Sequence, residues 1–321
     1  MNQFPWACIA SSIAALLLAA PHAVADTFGS GSSAFELVFV DIGAPGNPAD
    51  APQRLGSVSR AFQISKYEIS ESQIAKAAAL GAFSGRAIDD VLAVQRGPDR
   101  PASGISWFDA ARFANWLNHQ VGAQPAYNFD SLGRFQNWTP DDPGFDVNNL
   151  FRNSLAVYAL PTTDEWYKAA FYDPVSRSYS TYATQSDDPP TPVTQGVDFG
   201  TAVYQQEGPA PVHLAGGQSY FGAVGQSGNV LEWHETEFDF VNDTRTGARN
   251  VLGGDWRVAG TAIGLSSSLG TGGVPDIQPL STGFRVAKVP EPSCLAPALF
   301  AAACSMSRRR RARHCPACPA V

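Results

Sequence analysis

The spacing of apolar and polar positions changes several times along this chain, and each change marks an element. Residues 34–42 (AFELVFVDI) form a run of aromatic and branched side chains that predicts a strand. The turn-rich GAPGNPADAP follows it. In VSRAFQISKYEIS the alternation of Phe62 and Ile64, then Tyr67 and Ile69, predicts a second strand, and Ser70 is placed to cap a helix reaching about Leu80. Helical spacing takes over in ISWFDAARFANWLNHQ. Ser106 is the N-cap, Asp109 stands three residues on, and Ala110, Phe113, Ala114 and Leu117 share one face. LPTTDEWYKAAFYDP gives the fuller signal. Thr162 to Glu165 is a complete capping box, Trp166, Ala169 and Ala170 face inward, and Pro174 stops the helix. From about 173 to 226 the chain reads as loop, which points to a binding surface. SGNVLEWHETEFDF, RNVLGGDWRVAG and a final strand, TGFRVAKV, close the pattern. Few helices among many short strands and loops predict the α+β class. Trp107, Trp116, Trp166, Trp233 and Trp256 are assigned to the core. Gly253 and Gly254 are assigned to a tight turn, and Arg285 to a buried polar link.

Composition sharpens this picture at the ends of the chain. Its 321 residues allow one large domain or two medium ones, and only 16% are charged. With 29 glycines and 24 prolines a loop-rich fold is favoured over a helical bundle. Ile9 to Ala20 is apolar and Ala23-Val24-Ala25 fits a signal-peptidase site, so residues 1–25 read as an export signal and Asp26 as the mature start. At the other end come a proline turn, an apolar stretch from Leu295 to Ala303, then arginines 308–311. The stretch is too short to span a membrane comfortably, but it suits a transient anchor with its positive end in the cytoplasm. This order of parts resembles the PEP-CTERM sorting tail, with Val289 to Ser293 as its motif. That resemblance implies exosortase processing and delivery to the envelope or extracellular matrix of a bacterium.

Between these ends, residues 26–288 keep 17 basic and 28 acidic side chains, a net charge of −11. That excludes nucleic acid as a partner, since phosphate binding needs a basic face. Cysteine use is equally restrictive. Cys8 lies in the signal, and Cys294, Cys304, Cys315 and Cys318 lie in the tail, leaving 26–288 with none. The body therefore has no disulfide, no thiolate metal site and no cysteine nucleophile. The Cys315-Pro-Ala-Cys318 spacing sits behind the arginines, in the tail.

Four motifs in order, ISWFDAARFANWL, LPTTDEWYKAA, GNVLEW with VLGGDW, and GFRVA, resemble the formylglycine-generating enzyme (sulfatase-modifying factor) family over about residues 34–288. The resemblance implies one domain over 26–288 with a C-type-lectin-like α+β fold, two or three helices around short twisted sheets. Active members oxidise a substrate cysteine to formylglycine and bind copper through two cysteines between the GGSW and GFR motifs. Here the stretch between Trp256 and Gly283 has serines and no cysteine, and VLGGDW carries Leu252 and Asp255 where the family usually has Arg and Ser. A protonated serine hydroxyl does not replace a thiolate for Cu(I), so no copper is expected. A related branch, the ergothioneine-pathway sulfoxide synthases, holds iron with histidines; the body has only His119, His213 and His234, with no H-x-x-x-H pair.

The family's structural Ca2+ site implies the carbonyls of Ser227, Gly228 and Val230 and the carboxylate of Glu232, the alternative for Glu232 being a salt bridge. A second calcium site would fall in the 180–210 loop, where Asp187, Asp188 and Asp198 lie. Two functions follow. The first is an exported, non-catalytic binding or structural module of the envelope or biofilm matrix, with polysaccharide or peptide as partner. Tyr179, Tyr182, Tyr204, Tyr220 and Phe221 supply stacking surfaces in its loops. The second is an oxidoreductase of the formylglycine-generating type, or another enzyme on the same fold, with Glu232, Asp239, Asp255 and His234 as acid–base candidates.

Overall fold

The structure is a computed structural model that describes residues 23–289. Residues 1–22 of the expected signal over 1–25, and the sorting tail beyond Val289, lie outside the described residues.

The chain opens with three antiparallel strands, β1 (Ala23–Phe28), β2 (Phe35–Ile42) and β3 (Phe62–Ser65). β2 carries the alternation to its physical consequence. Phe35, Leu37 and Phe39 enter one apolar cluster, while Val40 and Ile42 enter another on the opposite face. β1 begins at Ala23, three residues ahead of the expected mature start. Its Asp26 accepts hydrogen bonds from Tyr158 Oη at 2.8 Å and Lys288 Nζ at 2.6 Å.

Helix α1 (Glu71–Ala79) is capped by Ser70 as expected, in a reciprocal box with Gln73. The short α2 (Ile88–Val91), not foreseen from the pattern, precedes α3 (Trp107–Gln120), whose Ser106 hydroxyl accepts the Asp109 N–H. After a small hairpin, β4 (Asn128–Phe129) with β5 (Phe135–Gln136), comes β6 (Tyr158–Ala159). Helix α4 (Thr163–Phe171) then carries the Thr162–Glu165 box and ends ahead of Pro174. The 173–226 region is irregular but pinned. It holds the hairpin β7 (Tyr172–Asp173) and β8 (Ser178–Tyr179), and the parallel pair β9 (Thr191–Pro192) and β10 (Thr201–Ala202).

The last third builds a second sheet from β11 (Leu231–Glu237), β12 (Arg249–Leu252), β13 (Gly270–Gly273) and β14 (Thr282–Gly283), in the order β13-β12-β11-β14. The chain then crosses to the first sheet, where β15 (Ala287–Lys288) pairs with both β3 and β6. The expected single strand TGFRVAKV is therefore two, because its halves hydrogen-bond to different sheets. Phe284, Arg285 and Val286 form the crossover, all fully buried. The strand read across VSRAFQISKYEIS also shortens, to β3 alone. The architecture is a loop-rich α+β fold with four helices among the described residues, and the five tryptophans assigned to the core are buried in it.

Removing the α1 cap tests this reading of the chain. Ser70→Ala leaves the Gln73 N–H without its acceptor and should lower unfolding free energy by about 1 kcal/mol. In urea denaturation the midpoint should fall with an unchanged slope.

Candidate functional site

The site grows from β11. Alternation along this strand sends Glu232 and His234 toward Trp166, while Trp233 and Glu235 meet the opposite side. Glu232 is fully buried. Its Oε2 accepts from Arg285 Nε at 2.6 Å and Trp166 Nε1 at 2.7 Å, and its Oε1 accepts from Arg285 Nη2 at 2.6 Å. Arg285 also donates to the carbonyls of Ser65 and Val224, at 3.0 and 2.9 Å. Beside this pair lies Glu68, also buried, which accepts from Asn229 Nδ2 at 2.5 Å and from the Val230 N–H at 3.3 Å. Burial, with the nearby Glu232 charge, pushes the Glu68 carboxyl well above the usual carboxylate range, although Arg285 works the other way. One arginine thus lies beside two buried carboxyl groups, bonded to Glu232 and near Glu68. Alternation hides Glu68 in the sequence, because a charged residue between Tyr67 and Ile69 reads as solvent-facing.

The residues expected to hold calcium come together around this junction. Ser227 is buried, its hydroxyl accepting the Ala183 N–H and donating to the Leu265 carbonyl. Gly228 has φ +95°, and a Cβ there would run into the Val203 carbonyl, so the close approach requires glycine. Val230 packs with Val203, Ala210 and Trp256. The Glu232 carboxylate is held by Arg285, so a cation on its free lone pair would stand against a guanidinium. Asp187 accepts from Thr181, and Asp188 and Asp198 are exposed in the neighbouring loop. Among the described residues, no group of three or more His, Cys, Asp or Glu side chains is arranged to hold a metal.

The acid–base candidates are separated by role. Asp255 is paired with Arg257 at 2.7 Å, and Asp239 is an exposed turn residue accepting the Val241 N–H. His234 is completely buried; Nδ1 lies 3.2 Å from Thr163 Oγ1, and Nε2 has no partner among the described residues. Burial, then the Arg285 charge, lower its pKa to about 3, so it is neutral and shut from solvent. The hydroxyl beside His234, Thr163 Oγ1, is as buried as the imidazole.

The cysteine-free segment is ordered by backbone. Gly253 and Gly254, at φ +103° and +70°, make the tight turn after β12. A 3-10 turn over Ala262–Leu265 follows, and β13 folds back along β12 in antiparallel register. Its exposed side chains include the apolar Ile263, Leu269, Val274, Ile277 and Leu280, interspersed with Arg257, Thr261, Ser268, Thr271 and Asp276. The aromatics expected as stacking surfaces are mostly structural. Tyr182, Tyr204 and Phe221 are buried, and Tyr179 packs on Tyr167 and Tyr172 while its hydroxyl serves the loop at Pro48 and Gly56. Tyr220 is half-buried, and the most exposed aromatics are Phe199, Phe238 and Phe240, at 73%, 50% and 56% exposure.

Comparison with known proteins places this geometry. Residues 30–290 match the family described as sulfatase-modifying factor enzyme 1-like domain. No curated protein sequence matches the chain. Among solved structures, Treponema denticola variable protein 1 superposes with a TM-score of 0.56 at 18% identity, covering 83% of this chain and 99% of that one. CarF superposes with a TM-score of 0.55 at 21% identity, covering 79% of this chain and 98% of that one. At these identities the likeness is one of fold.

Two predictions follow from the charges. Glu232→Gln leaves Arg285 buried without an anionic partner and should lower stability by about 3–5 kcal/mol. Glu68→Gln removes no partner of Arg285's bidentate pair but turns one of two oxygens, which accept from Asn229 and the Val230 N–H, into a donor, and should cost less, about 1–3 kcal/mol. Chemical denaturation of the two variants separates them. The second concerns pH. The unfolded state protonates His234 near pH 6.5 and the folded state only near 3, so this residue removes stability as pH falls from about 6.5, by on the order of 1 kcal/mol per unit. Glu68, with its folded-state pKa raised, contributes stability at low pH that is lost as pH rises above about 4.5. The two oppose each other between pH 4.5 and 6.5. His234→Gln should unmask Glu68, giving a variant whose denaturation midpoint rises, relative to wild type, as pH is lowered through this range.

Proposed function

The chain belongs to the sulfatase-modifying factor family, and from that premise we propose that it is an exported, non-catalytic binding or structural module of the cell envelope or biofilm matrix. The observation that carries this reading is the segment from 251 to 283. It keeps the family's glycine turn but has no cysteine, and neither has the rest of 26–288. Copper chemistry through paired thiolates has no ligands there, so no step is assigned to that metal. In place of thiols the segment presents exposed apolar side chains, Leu269 and Val274 among them, mixed with polar ones about the edge strand β13, where exposed Phe238 lies against Gly272. Such a surface suits binding, and a shared fold does not bring a shared reaction with it.

The ends of the chain support export. The apolar run before Asp26 suits a secretion signal, and the Val289–Ser293 motif, short apolar stretch and arginine cluster suit exosortase sorting with a transient membrane anchor. No helix among the described residues is long and apolar enough to cross a membrane. The acidic body favours an extracellular polysaccharide or a peptide over nucleic acid as partner. Calcium has a structural place in this proposal through the carbonyls of Ser227, Gly228 and Val230, since Arg285 holds Glu232.

The test takes the purified chain with copper and a cysteine-containing sulfatase peptide, and in parallel over immobilised extracellular polysaccharide of the host, with calcium and with chelator. The expected outcome is a peptide of unchanged mass and protein retained on the polysaccharide, more so with calcium. Conversion of the peptide thiol to an aldehyde above a no-protein control would overturn the non-catalytic reading.

A further inference from the structure

Away from that segment's exposed apolar side chains, a concavity has the opposite character. Arg96 and Arg100 line a cavity of about 390 Å3 with Thr194, Gln195, Gln206 and Pro209. Every charged side chain in this lining is an arginine, in a domain whose net charge is −11. Among the described residues neither guanidinium is ion-paired. The acid nearest in the chain's own wiring, Glu71, is committed to backbone: its oxygens accept the N–H groups of Arg96 at 2.6 Å and Gly97 at 2.8 Å.

The two arginines are positioned rather than loose. The Arg96 guanidinium lies over the Trp256 ring, 4.8 Å from its centroid, and Nη1 donates to Ser103 Oγ at 2.9 Å. Arg100 donates to the Pro209 carbonyl. A third cation, Arg257, approaches the same Trp256 ring at 5.7 Å but is neutralised by Asp255. Burial and then the Arg257 charge hold Arg96 below its usual range, with Glu71 opposing them. A guanidinium has five N–H donors, and the bonds named here use one on each arginine, which leaves a planar fork suited to two oxygens of one anion. The neighbouring Thr194 hydroxyl and Gln195 amide are groups that pair with hydroxyls, while the Gln206 amide nitrogen is held by the carbonyls of Thr194 and Gly208. The volume lies within the range of small-ligand sites, about 300–1,000 Å3.

We propose that this cavity is a binding site for an oxyanion, a carboxylate or a phosphate, carried on a small hydroxyl-rich ligand, with Arg96 and Arg100 as its anchors. The site stands whether or not the module is catalytic or matrix-bound, because the residues lining the cavity lie outside the 251–283 segment and the Glu232 junction, and that segment contributes only the Trp256 ring behind Arg96.

Calorimetric titration of the full chain with sodium glucuronate, inorganic phosphate and glucose tests it. Saturable binding of glucuronate or phosphate is expected, with none for glucose, and the affinity should fall as salt is raised. Tighter binding of glucuronate assigns the carboxylate source, and tighter binding of phosphate assigns the other. Arg100→Gln and Arg96→Gln should each weaken binding at least about tenfold, the loss that follows removal of a charge-assisted hydrogen bond. Arg96 also covers Trp256, so thermal melting accompanies each variant, and Arg100→Gln alone decides the matter where Arg96→Gln melts early. Absence of saturable binding for both anions, equal binding of glucose, or affinity unchanged in folded Arg100→Gln would overturn the proposal.

Discussion

The ion pair between Arg285 and Glu232 is the constraint around which the two sheets are arranged. Removing a guanidinium and a carboxylate from water costs several kcal/mol for each ion, and only complete hydrogen bonding offsets it. Here the bonding is complete in kind. Two donors reach Glu232, and others reach the carbonyls of Ser65 and Val224. Ser65 ends β3 in the first sheet, Glu232 stands in β11 of the second, and Val224 belongs to the long irregular region between them. Sliding one sheet over the other would strand the charge. The pair therefore selects one relative placement, whatever its net contribution to stability. The chain's crossover at Phe284–Val286 follows from the same fact, since the residue that links the sheets must lie between them.

The opposite side of β11 is organised by a second buried network. Arg152 donates to Glu235 at 2.6 Å and to Glu165 at 3.1 Å, and Tyr127 and Asn149 complete the bonding of Glu235. Although burial opposes it, Arg152 and Arg60 hold the Glu165 carboxyl at about 2, so the capping residue of α4 stays ionised. Arg249 is handled differently. Its guanidinium lies between Trp107 and Phe151, at 4.6 and 4.3 Å from their centroids, and donates to the Gly247 carbonyl. Burial lowers its pKa to about 10. A chain with few charges has placed several of them inside, where each fixes the position of loops that have little regular structure of their own.

What the sequence discloses follows from how local each signal is. The caps at Ser70, Ser106 and Thr162 act within three residues, and all three begin helices where the pattern puts them. The tryptophans and Arg285 were legible as buried because large rings and a lone basic residue in an apolar strand have few other places. The family resemblance supplied the fold. Non-local facts were hidden. Whether Glu232 meets a cation from solvent or from Arg285 depends on a residue 53 positions away. Whether Tyr204 stacks on a ligand or caps the Pro190 carbonyl depends on how an irregular loop closes. The split of the last strand is invisible because both halves share one alternation and differ only in partner. Glu68 and the Arg96–Arg100 cavity were missed for a related reason: isolated charges in polar stretches read as solvated until the fold brings them together.

The segment after β12 shows how shape outlasts chemistry. Its path is set by two glycines at positive φ, where a Cβ on Gly254 would come within 2.6 Å of the Gly264 carbonyl. It is fixed further by the pairing of Leu252 with Glu232 on one side and Gly270 on the other. Those restraints act through the backbone and through the absence of a side chain. None of them needs a thiol. A segment so held keeps its form when the residues along it change, and its outward positions are free to become Ile263, Leu269 or Val274. A path held by backbone in this way does not depend on cysteine, so the segment's outward positions are set by what they meet in solvent and not by the turn itself.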